Sequence, residues 1–426
     1  MIYYQQIGYF ILRCIVKMKV LINAYACSPN MGSEPGMGWN WCVNLAKHCE
    51  LFIITEEEFR DKIEAVVPSL PQGKNMHFYY NPVTPEVRKM CWNQGDWRFY
   101  WYYRKWQRRT LEIAKQICDE QNIDIIHQLN MIGYREPGLL WKIKGPKFVW
   151  GPIGGMETMP IAYLKGAGAK TILFNRLKNQ INSLQYRYQP NVCSAVKRAD
   201  AVIAATSGCL QIMQDYYHRQ VFLINETGCD SLNIEKVEGN RYDKEPFALL
   251  WVGKFDFRKQ LGLAIRTIAE LKDMNVVLHI VGSGDTNKYK SLASSLNIED
   301  KIVFHGQVNH EEINSLMQKS NLFFFTSIMD ATSTVVMEAL QNQLPVVCFD
   351  TCGFGTVVDQ NIGVKIPLSN PVQSVKDFAS VIRLLKDNTA KLQLMSYNCL
   401  ERLKQFEWGN KAGLMIHIYK SVLSDE

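Results

Sequence analysis

The chain has 426 residues, of which 47% are hydrophobic and 21% charged. A chain of this length and composition can bury two or three hydrophobic cores, which excludes an intrinsically disordered protein. The net charge of +7 favours anionic ligands or an anionic membrane surface, but by itself it does not indicate nucleic acid. The twelve cysteines form no Cys-x-x-Cys pair and have no histidines at zinc spacing. We therefore predict reduced thiols in a cytoplasmic protein, without a structural metal or a disulfide framework.

The chain opens with MIYYQQIGYFILRCIVKMKVLINAY, in which an apolar run from Ile7 to Val16 is interrupted by Arg13. The run is too short to span a bilayer, and no basic segment precedes it as in a signal peptide. We expect the first buried strand to begin just after Met18. Residues 1–17 are interpreted as an upstream start-site artefact, which we favour, or as a short surface-anchoring extension.

After this segment, short apolar runs alternate with amphipathic stretches, a pattern typical of parallel sheets covered by helices on both faces. Asn309 and Glu312 predict a capping box at the start of one helix. The predicted strands are Lys19–Asn23, Leu51–Thr55, Ile123–His127, Lys147–Gly151, Ala201–Ala205, Val221–Ile224, Phe247–Val252, Val276–Val281, Lys301–His305, Asn321–Thr326, Leu344–Phe349 and Gly363–Ile366.

The pattern breaks in a polar, aperiodic stretch from Glu226 to Phe247. We predict a linker at 231–246 that joins an N-terminal domain, 18–230, to a C-terminal domain, 247–408. Two doubly wound domains of this kind would face each other across a cleft at the carboxyl ends of their strands, where such folds bind ligands.

Two lysines, Lys254 and Lys259, flank the loop after one predicted strand of the second half. Paired cations at this position suit a diphosphate, although two solvated lysines are the simpler interpretation. The next strand ends in Gly282-Ser283-Gly284. Glycines there let the backbone approach a nucleotide closely, but a Gly-x-Gly pair can also be only a tight turn.

A third strand is followed by Gly306, Gln307 and Val308, whose main-chain groups could meet the edge of a base. A plain strand-to-helix loop explains the same residues. This segment therefore contributes to a nucleotide site only in combination with its neighbours.

The stretch TSIMDATSTVVMEAL contains Asp330, a predicted helix start at Thr332, Ser333 and Thr334, and Glu338. Free amides at a helix N-terminus make a site for an anion such as phosphate. Glu338 lies two turns from Asp330, close enough to bind a ribose diol while the helix end holds phosphates. The alternative for Glu338 is a polar stripe that faces water.

In order and spacing these features resemble the C-terminal domain of the family 4 retaining glycosyltransferases. The resemblance rests on Gly253-Lys254 with Lys259, then VGSGD, then VFHGQV, then Asp330-x7-Glu338. It covers essentially all of 19–426 and is clearest over 247–368. It implies the α/β GT-B fold, with two Rossmann-like doubly wound domains facing across a cleft and a C-terminal helix, 409–426, returning to the N-domain. Lys254 stands where the family usually has arginine, and Asp330 where it has glutamate.

The first half carries further points of resemblance. INAYACSPNMGSEPGMGWNW resembles the family's glycine-rich loop near the donor phosphates, which makes Gly32 a candidate donor contact. DIIHQLN resembles the strand that ends in an active-site histidine, which makes His127 the candidate, with a buried structural histidine as the alternative. WGPIGG resembles an active-site loop on the acceptor side, containing Gly154 and Gly155.

The resemblance implies transfer of a sugar from a nucleotide diphosphate donor, with UDP-sugars favoured over GDP-sugars, to a glycan or lipid-linked saccharide in cell-surface polysaccharide biosynthesis. Lys254, Lys259 and His127 would act with Asp330 in catalysis. No Asp-x-Asp motif occurs, so we expect no metal and no other cofactor. The alternatives are a catalytically inactive sugar-nucleotide-binding partner subunit and a GT-B sugar-nucleotide epimerase.

Two stretches of the first half indicate the surroundings of the acceptor. Arg88–Arg109 has seven basic residues, one acidic residue and eight aromatic residues, and Lys165–Arg187 has five basic residues and no acid. Such segments suit peripheral contact with an anionic membrane at the inner face, or core helices with a solvated basic face. We expect no nucleic-acid partner.

Overall fold

A computed structural model describes residues 17–93, 96–164, 167–230 and 239–424 of the chain. The predicted extension at residues 1–17 lies outside the described residues except for its last position. The first eight residues of the predicted linker, 231–238, also lie outside them.

Thirteen strands are present in the described residues. Twelve match the predicted strands, four of them with identical bounds. The thirteenth, Met76–Tyr80, was not predicted, because it is a half-exposed strand at a sheet edge without a clear alternating pattern. The strands are β1 Lys19–Asn23, β2 Glu50–Thr55, β3 Met76–Tyr80, β4 Ile125–Gln128, β5 Lys147–Ile153, β6 Ala201–Ala204, β7 Val221–Leu223, β8 Phe247–Val252, β9 Val276–Val281, β10 Ile302–Gly306, β11 Leu322–Phe325, β12 Val346–Phe349 and β13 Gly363–Ile366.

The helices lie mostly in the connections between strands, as parallel pairing requires. They are α1 Ser33–Leu45, α2 Arg60–Val66, α3 Pro85–Trp92, α4 Arg98–Gln121, α5 Ala169–Tyr188, α6 Pro190–Arg198, α7 Ser207–Tyr217, α8 Leu261–Glu270, α9 Thr286–Ser295, α10 His310–Lys319, α11 Thr334–Gln341, α12 Cys352–Val357, α13 Pro371–Lys386, α14 Thr389–Lys404 and α15 Trp408–Ser424. The predicted capping box is present at the start of α10.

The strands form two parallel sheets, one in each half of the chain. The first has the order β3-β2-β1-β4-β5-β6-β7 and the second the order β10-β9-β8-β11-β12-β13. In both sheets the order reverses next to the first strand of the domain, the arrangement of a doubly wound fold that binds ligands at the carboxyl edge. The prediction of two doubly wound α/β domains is confirmed.

Each sheet has its own buried hydrophobic core, and the last helix joins the first of them. Met415 and Tyr419 of α15 are fully buried in the first core, and the ring of Trp408 packs edge-on against Trp41 of α1 with 5.7 Å between centroids. The chain therefore crosses to the second domain and returns to the first, and the returning segment pairs with Cys229, just before the predicted linker.

None of the helices in the described ranges is both long enough and apolar enough to span a bilayer. The eleven cysteines within the same ranges are all free, and seven of them are buried.

Candidate active site

A cavity of about 420 Å³ lies between the two domains, beside loops that follow the carboxyl ends of strands in both sheets. This is the edge at which doubly wound folds bind ligands. The first domain contributes Ile132, Gly133, Arg135, Gly154, Gly155, Glu157, Met159, Asn175, Lys178, Asn179, Asn182, Ala205 and Thr206, and the second contributes Arg258, Met329, Asp330, Ala331 and Cys352.

An ion pair between Lys259 and Asp330 lies at the second-domain wall of this cavity. The Lys259 Nζ is 2.5 Å from the Asp330 Oδ2, and only 15% and 27% of the two side chains are exposed. The ammonium also lies 4.9 Å from the centroid of the Phe325 ring. The Ala331 amide donates to the other Asp330 oxygen at 3.0 Å, so the carboxylate is fixed in orientation. A localised cation and a fixed carboxylate thus meet at one point of the cleft.

Helix α11 begins four residues after Asp330. Ser333 precedes its first turn, and the Val336 amide bonds back to the Ser333 carbonyl at 3.1 Å. The amides of Ser333, Thr334 and Val335 have no carbonyl partner within the helix, as at every helix start. Their partial positive charge adds to that of Lys259 in attracting an anion.

From the sequence we predicted that the Thr332 amide is free to bind a phosphate, but in the structure this amide already has a partner. Its amide donates to the Glu226 Oε1 at 2.7 Å, its hydroxyl donates to the Glu226 Oε2 at 3.0 Å, and the Asn225 side chain donates to the same hydroxyl at 2.8 Å. Thr332 is 7% exposed. A carboxylate from the end of the first domain therefore occupies the position where a phosphate contact was expected, and the anion site is reduced to the amides that follow.

Glu338 lies one turn into α11 and is partly buried. Burial raises the pKa of this carboxyl, and the nearby His310 offsets part of that effect. Within the described residues, no neighbouring group donates a hydrogen bond to its carboxylate. A desolvated carboxylate without a donor is costly. Glu338 is not among the residues that line the cavity between the domains.

The glycines after β9 allow two loops to pack together. A Cβ on Gly282 would lie 1.8 Å from the Gly253 carbonyl oxygen, and one on Gly284 would lie 2.3 Å from the Cβ of Phe255. The Phe255 amide donates to the Ser283 carbonyl at 2.9 Å. These contacts explain why glycine is needed here, and they hold the loop that carries Lys254 and Lys259 against the end of β9.

The remaining predicted donor contacts in the second domain lie on its surface. Lys254 is exposed, and Gly306 has a φ of +73° with open space around it. Gln307 is exposed as well, while Val308 packs against the second core. Of these four, none lines the cavity between the domains.

On the first-domain side, Gly154 and Gly155, the residues predicted for the acceptor side, line the cavity. The Gly154 amide donates to the Ile132 carbonyl at 2.8 Å, and Gly155 has a φ of +78° with no atom near its missing side chain. Glu157, two residues on, accepts a hydrogen bond from the Thr206 hydroxyl and faces the same cavity. Sequence analysis missed Glu157, although it lies only two residues after the double glycine.

His127 does not line the cavity. It is fully buried in β4, its Nδ1 is 2.5 Å from the Tyr419 hydroxyl, and its Nε2 is 2.7 Å from the Gly151 carbonyl. Burial lowers its pKa to about 4, so the ring is neutral at physiological pH. Both ring nitrogens have hydrogen-bond partners within the protein. His127 therefore fits the alternative interpretation, a buried structural histidine, and not a residue that contacts substrate.

A larger cavity of about 830 Å³ adjoins the first on the N-terminal side. Its wall includes Glu34 of α1, whose Oε1 accepts from the Ile132 amide at 3.0 Å, and the Arg104–Glu136 ion pair at 2.6 Å. Ile132, Gly133 and Arg135 line both cavities, so the two adjoin each other. Gly32, predicted to contact the donor, is exposed just before α1 and lines neither of them.

In the ranges that the structure describes, no cluster of three or more histidine, cysteine, aspartate or glutamate side chains is arranged to hold a metal ion.

The fold and the cleft define a two-domain protein of the GT-B type, and comparison with known sequences agrees. Residues 233–401 match the sequence profile of the glycosyl transferases group 1 family. The curated relatives include an uncharacterized glycosyltransferase of Methanocaldococcus jannaschii, 24% identical over 47% of this chain and 50% of its own length. Another is the lipopolysaccharide glucosyltransferase WaaG of Escherichia coli K12, 29% identical over 28% of this chain and 32% of its own length. The chain thus aligns with about half or less of the length of the curated relatives that it matches.

Solved structures extend the comparison of the fold to nearly the whole chain. The crystal structure of Anabaena HepE in complex with UDP superposes with a TM-score of 0.56 at 14% identity, covering 95% of this chain and all of that one. At this level of identity the likeness shows the fold alone, and it confirms the GT-B fold.

Proposed function

We propose that the protein is a retaining glycosyltransferase that moves a sugar from a nucleoside diphosphate donor to a saccharide acceptor. The observation that carries the proposal is the Lys259–Asp330 pair at the wall of the cavity between the domains, directly before the start of α11. A cation, a helix N-terminus and a fixed carboxylate at one point are what a leaving diphosphate and the hydroxyls of a sugar require.

In the proposed reaction the acceptor oxygen attacks the anomeric carbon, and the bond from that carbon to the diphosphate oxygen breaks. The negative charge that develops on the diphosphate is stabilised by Lys259 and by the amides of Ser333 and Thr334. Lys254, on the same loop but outside the cavity lining, is proposed to join them when the donor extends out of the cavity. The acceptor proton passes to the departing phosphate oxygen on the same face of the sugar, so no protein nucleophile is required.

Asp330 is proposed to accept hydrogen bonds from the donor sugar, and Glu338 from the ribose diol. The open backbone around Gly306 and Gln307 would receive the base. UDP-sugars are favoured as donors, with support from HepE, a protein of the same fold whose solved structure contains UDP. An acceptor in cell-surface saccharide synthesis is supported by WaaG, a lipopolysaccharide glucosyltransferase.

The test is release of nucleoside diphosphate from UDP- and GDP-sugars in the presence of saccharide acceptors, with anomeric configuration read from the product by NMR. Lys259→Ala and Glu338→Ala are expected to abolish or strongly weaken turnover, while Arg383→Ala, which breaks an exposed ion pair with Asp273 far from the cleft, should not. Failure to bind any sugar nucleotide would refute the proposal.

Two results would assign one of the alternative functions instead. Tight binding of a sugar nucleotide without turnover on any acceptor would indicate a partner subunit. Conversion of the sugar nucleotide to an isomeric sugar without an acceptor would indicate an epimerase.

A further inference from the structure

Helix α5 has its apolar side facing outward. Six large apolar residues recur at intervals of three and four along it and therefore fall on one face. Each of them is about half exposed or more, with Leu177 at 49% and Tyr188 at 69%. The six are Leu173, Phe174, Leu177, Ile181, Leu184 and Tyr188.

The opposite side of α5, which faces the protein, is polar. The Asn179 side chain exchanges two hydrogen bonds with the Met159 backbone, at 2.9 and 2.8 Å. Asn182 donates to the Met156 carbonyl at 2.8 Å and accepts from the Tyr134 hydroxyl at 2.6 Å. The helix is thus held by amide hydrogen bonds, and its apolar face takes no part in either core. An exposed apolar face of this size marks a surface that contacts a membrane or another protein.

A second exposed apolar group lies across the larger cavity from α5. Trp92, Trp97, Tyr100 and Trp101, at the end of α3 and the start of α4, are 47% to 77% exposed. Tyr100 lines the larger cavity together with Ile181 and Leu184. The two exposed groups therefore flank the mouth of that cavity and share residues with its wall.

Cations border both groups. Arg176 and Arg187 of α5 are exposed and lie beside its apolar face at helical spacing, and α5 carries no acidic residue. The Lys105 Nζ lies 3.8 Å from the centroid of the Trp101 ring. Aromatic and aliphatic side chains bordered by arginine and lysine match the boundary between acyl chains and anionic headgroups.

We propose that the outward face of α5 and the aromatic cluster at the α3–α4 junction dock the protein on an anionic phospholipid bilayer, and that the acceptor is a lipid-linked saccharide drawn from that bilayer. The docking is inferred from the exposed residues alone, whereas the identity of the acceptor also depends on the proposed function. The larger cavity is lined by Tyr100 of one docking group and by Ile181 and Leu184 of the other, and it adjoins the cavity that contains Asp330. A saccharide whose lipid remains in the bilayer can thus extend to the donor site.

The docking is tested by flotation of the purified full-length chain with vesicles of mixed phosphatidylglycerol and phosphatidylcholine. The double variant Leu173→Ser, Leu177→Ser removes two apolar side chains that line neither cavity. It is expected to lose roughly tenfold or more of the vesicle binding. The matched control, Leu394→Ser with Tyr397→Ser, changes equally exposed residues of α14 and should bind as the unaltered chain does. Circular dichroism confirms that both variants fold.

Several outcomes would overturn the docking. These are no binding of the unaltered chain, equal binding to pure phosphatidylcholine vesicles, or equal loss in the control variant. A concentration-dependent dimer that the Leu173→Ser, Leu177→Ser variant abolishes would instead make this face an interface between two copies of the chain.

The acceptor is tested separately by turnover. With vesicle-borne polyprenyl-diphosphate saccharide as acceptor, the Leu173→Ser, Leu177→Ser variant should lose roughly tenfold in rate, while its rate on the water-soluble saccharide should not change. Equal rates of both proteins on both acceptors would overturn the lipid-linked acceptor. Vesicle binding without any turnover would refute the proposed function and leave the docking in place.

Discussion

Lys259 and Asp330 face each other across 2.5 Å at the point where the loop after β8 meets the loop after β11. The lysine is the more buried partner, and it lies behind the carboxylate as seen from the cavity, since Asp330 and not Lys259 lines the wall. A donor that enters the cavity therefore meets the carboxylate first, with the cation held beside it.

Replacing Lys259 by alanine should reduce kcat/KM for the sugar nucleotide roughly a hundredfold to a thousandfold, because it removes a preorganised cation from the charge that develops on the leaving group. The thermal midpoint should change little, since a partly exposed ion pair contributes about 1 kcal/mol or less. Steady-state kinetics and a thermal melt measure the two effects. If Lys259→Ala and Arg383→Ala had the same kinetics, Lys259 would have no role in the reaction.

Lengthening Asp330 to glutamate should change the selectivity among donor sugars. The extra methylene moves the carboxylate further into the cavity, and one methylene is worth about tenfold to two-hundredfold in discrimination. The measurement is the ratio of kcat/KM values for a panel of donors, with Asp285→Glu, at the exposed start of α9, as the control. An unchanged ratio would show that Asp330 does not contact the sugar.

Glu338→Gln should weaken binding of UDP about tenfold, because hydrogen bonds from the ribose to a charged acceptor are lost. Burial raises the pKa of Glu338, so the charged form is already disfavoured in the fold. Removing that charge should therefore leave the unfolding temperature unchanged or slightly higher. Calorimetric titration with UDP measures the affinity, and Glu311→Gln, on the exposed side of α10, is the control. Equal affinities of both variants would exclude Glu338 from the nucleotide site.

The stability of the fold should depend on His127 at mildly acidic pH. Its pKa falls from 6.5 to about 4 on burial, so between those values the unfolded chain binds more protons than the folded one. The contribution of this neutral histidine is complete above pH 6.5 and decreases as the pH falls towards 4, by about 3 kcal/mol in total.

Urea unfolding of the protein and of His127→Gln, at neutral pH and near pH 4.5, measures this dependence. The glutamine variant should lose less stability on acidification than the unaltered chain. The variant His218→Gln, at the exposed end of α7, should behave as the unaltered chain. Identical acid sensitivity of all three proteins would contradict the assignment.

Turnover should survive removal of divalent metal. The proposed reaction places Lys254, Lys259 and the helix amides where other enzymes use a metal ion to hold a diphosphate, so EDTA should change the rate by less than about twofold. Initial rates with EDTA and with added Mg²⁺ or Mn²⁺ test this. Loss of activity in EDTA that Mn²⁺ restores would show that a metal ion takes part.

The strands were predictable because buried parallel strands appear as short apolar runs, and Lys19–Asn23 and Phe247–Val252 have the predicted bounds. Asp330, Gly154 and Gly155 were predictable as residues of the cleft because each follows such a run. The positions and contacts of His127 and Thr332 were not predictable, because both residues bond to partners that are far away in the sequence. Tyr419 is 292 residues from His127, and Glu226 is 106 residues from Thr332. Local sequence contains no signal for either contact.

Because of the contact between Glu226 and Thr332, the separation of the two domains determines whether the Thr332 amide before α11 is free. Glu226 belongs to the last segment of the first domain, whereas Thr332 directly precedes Ser333 and α11. A hinge rotation that separated the domains would break the bonds from Thr332 to Glu226 and Asn225, and it would release the Thr332 amide at the same moment. The same rotation that opens the cleft would therefore add one more free amide beside the anion site.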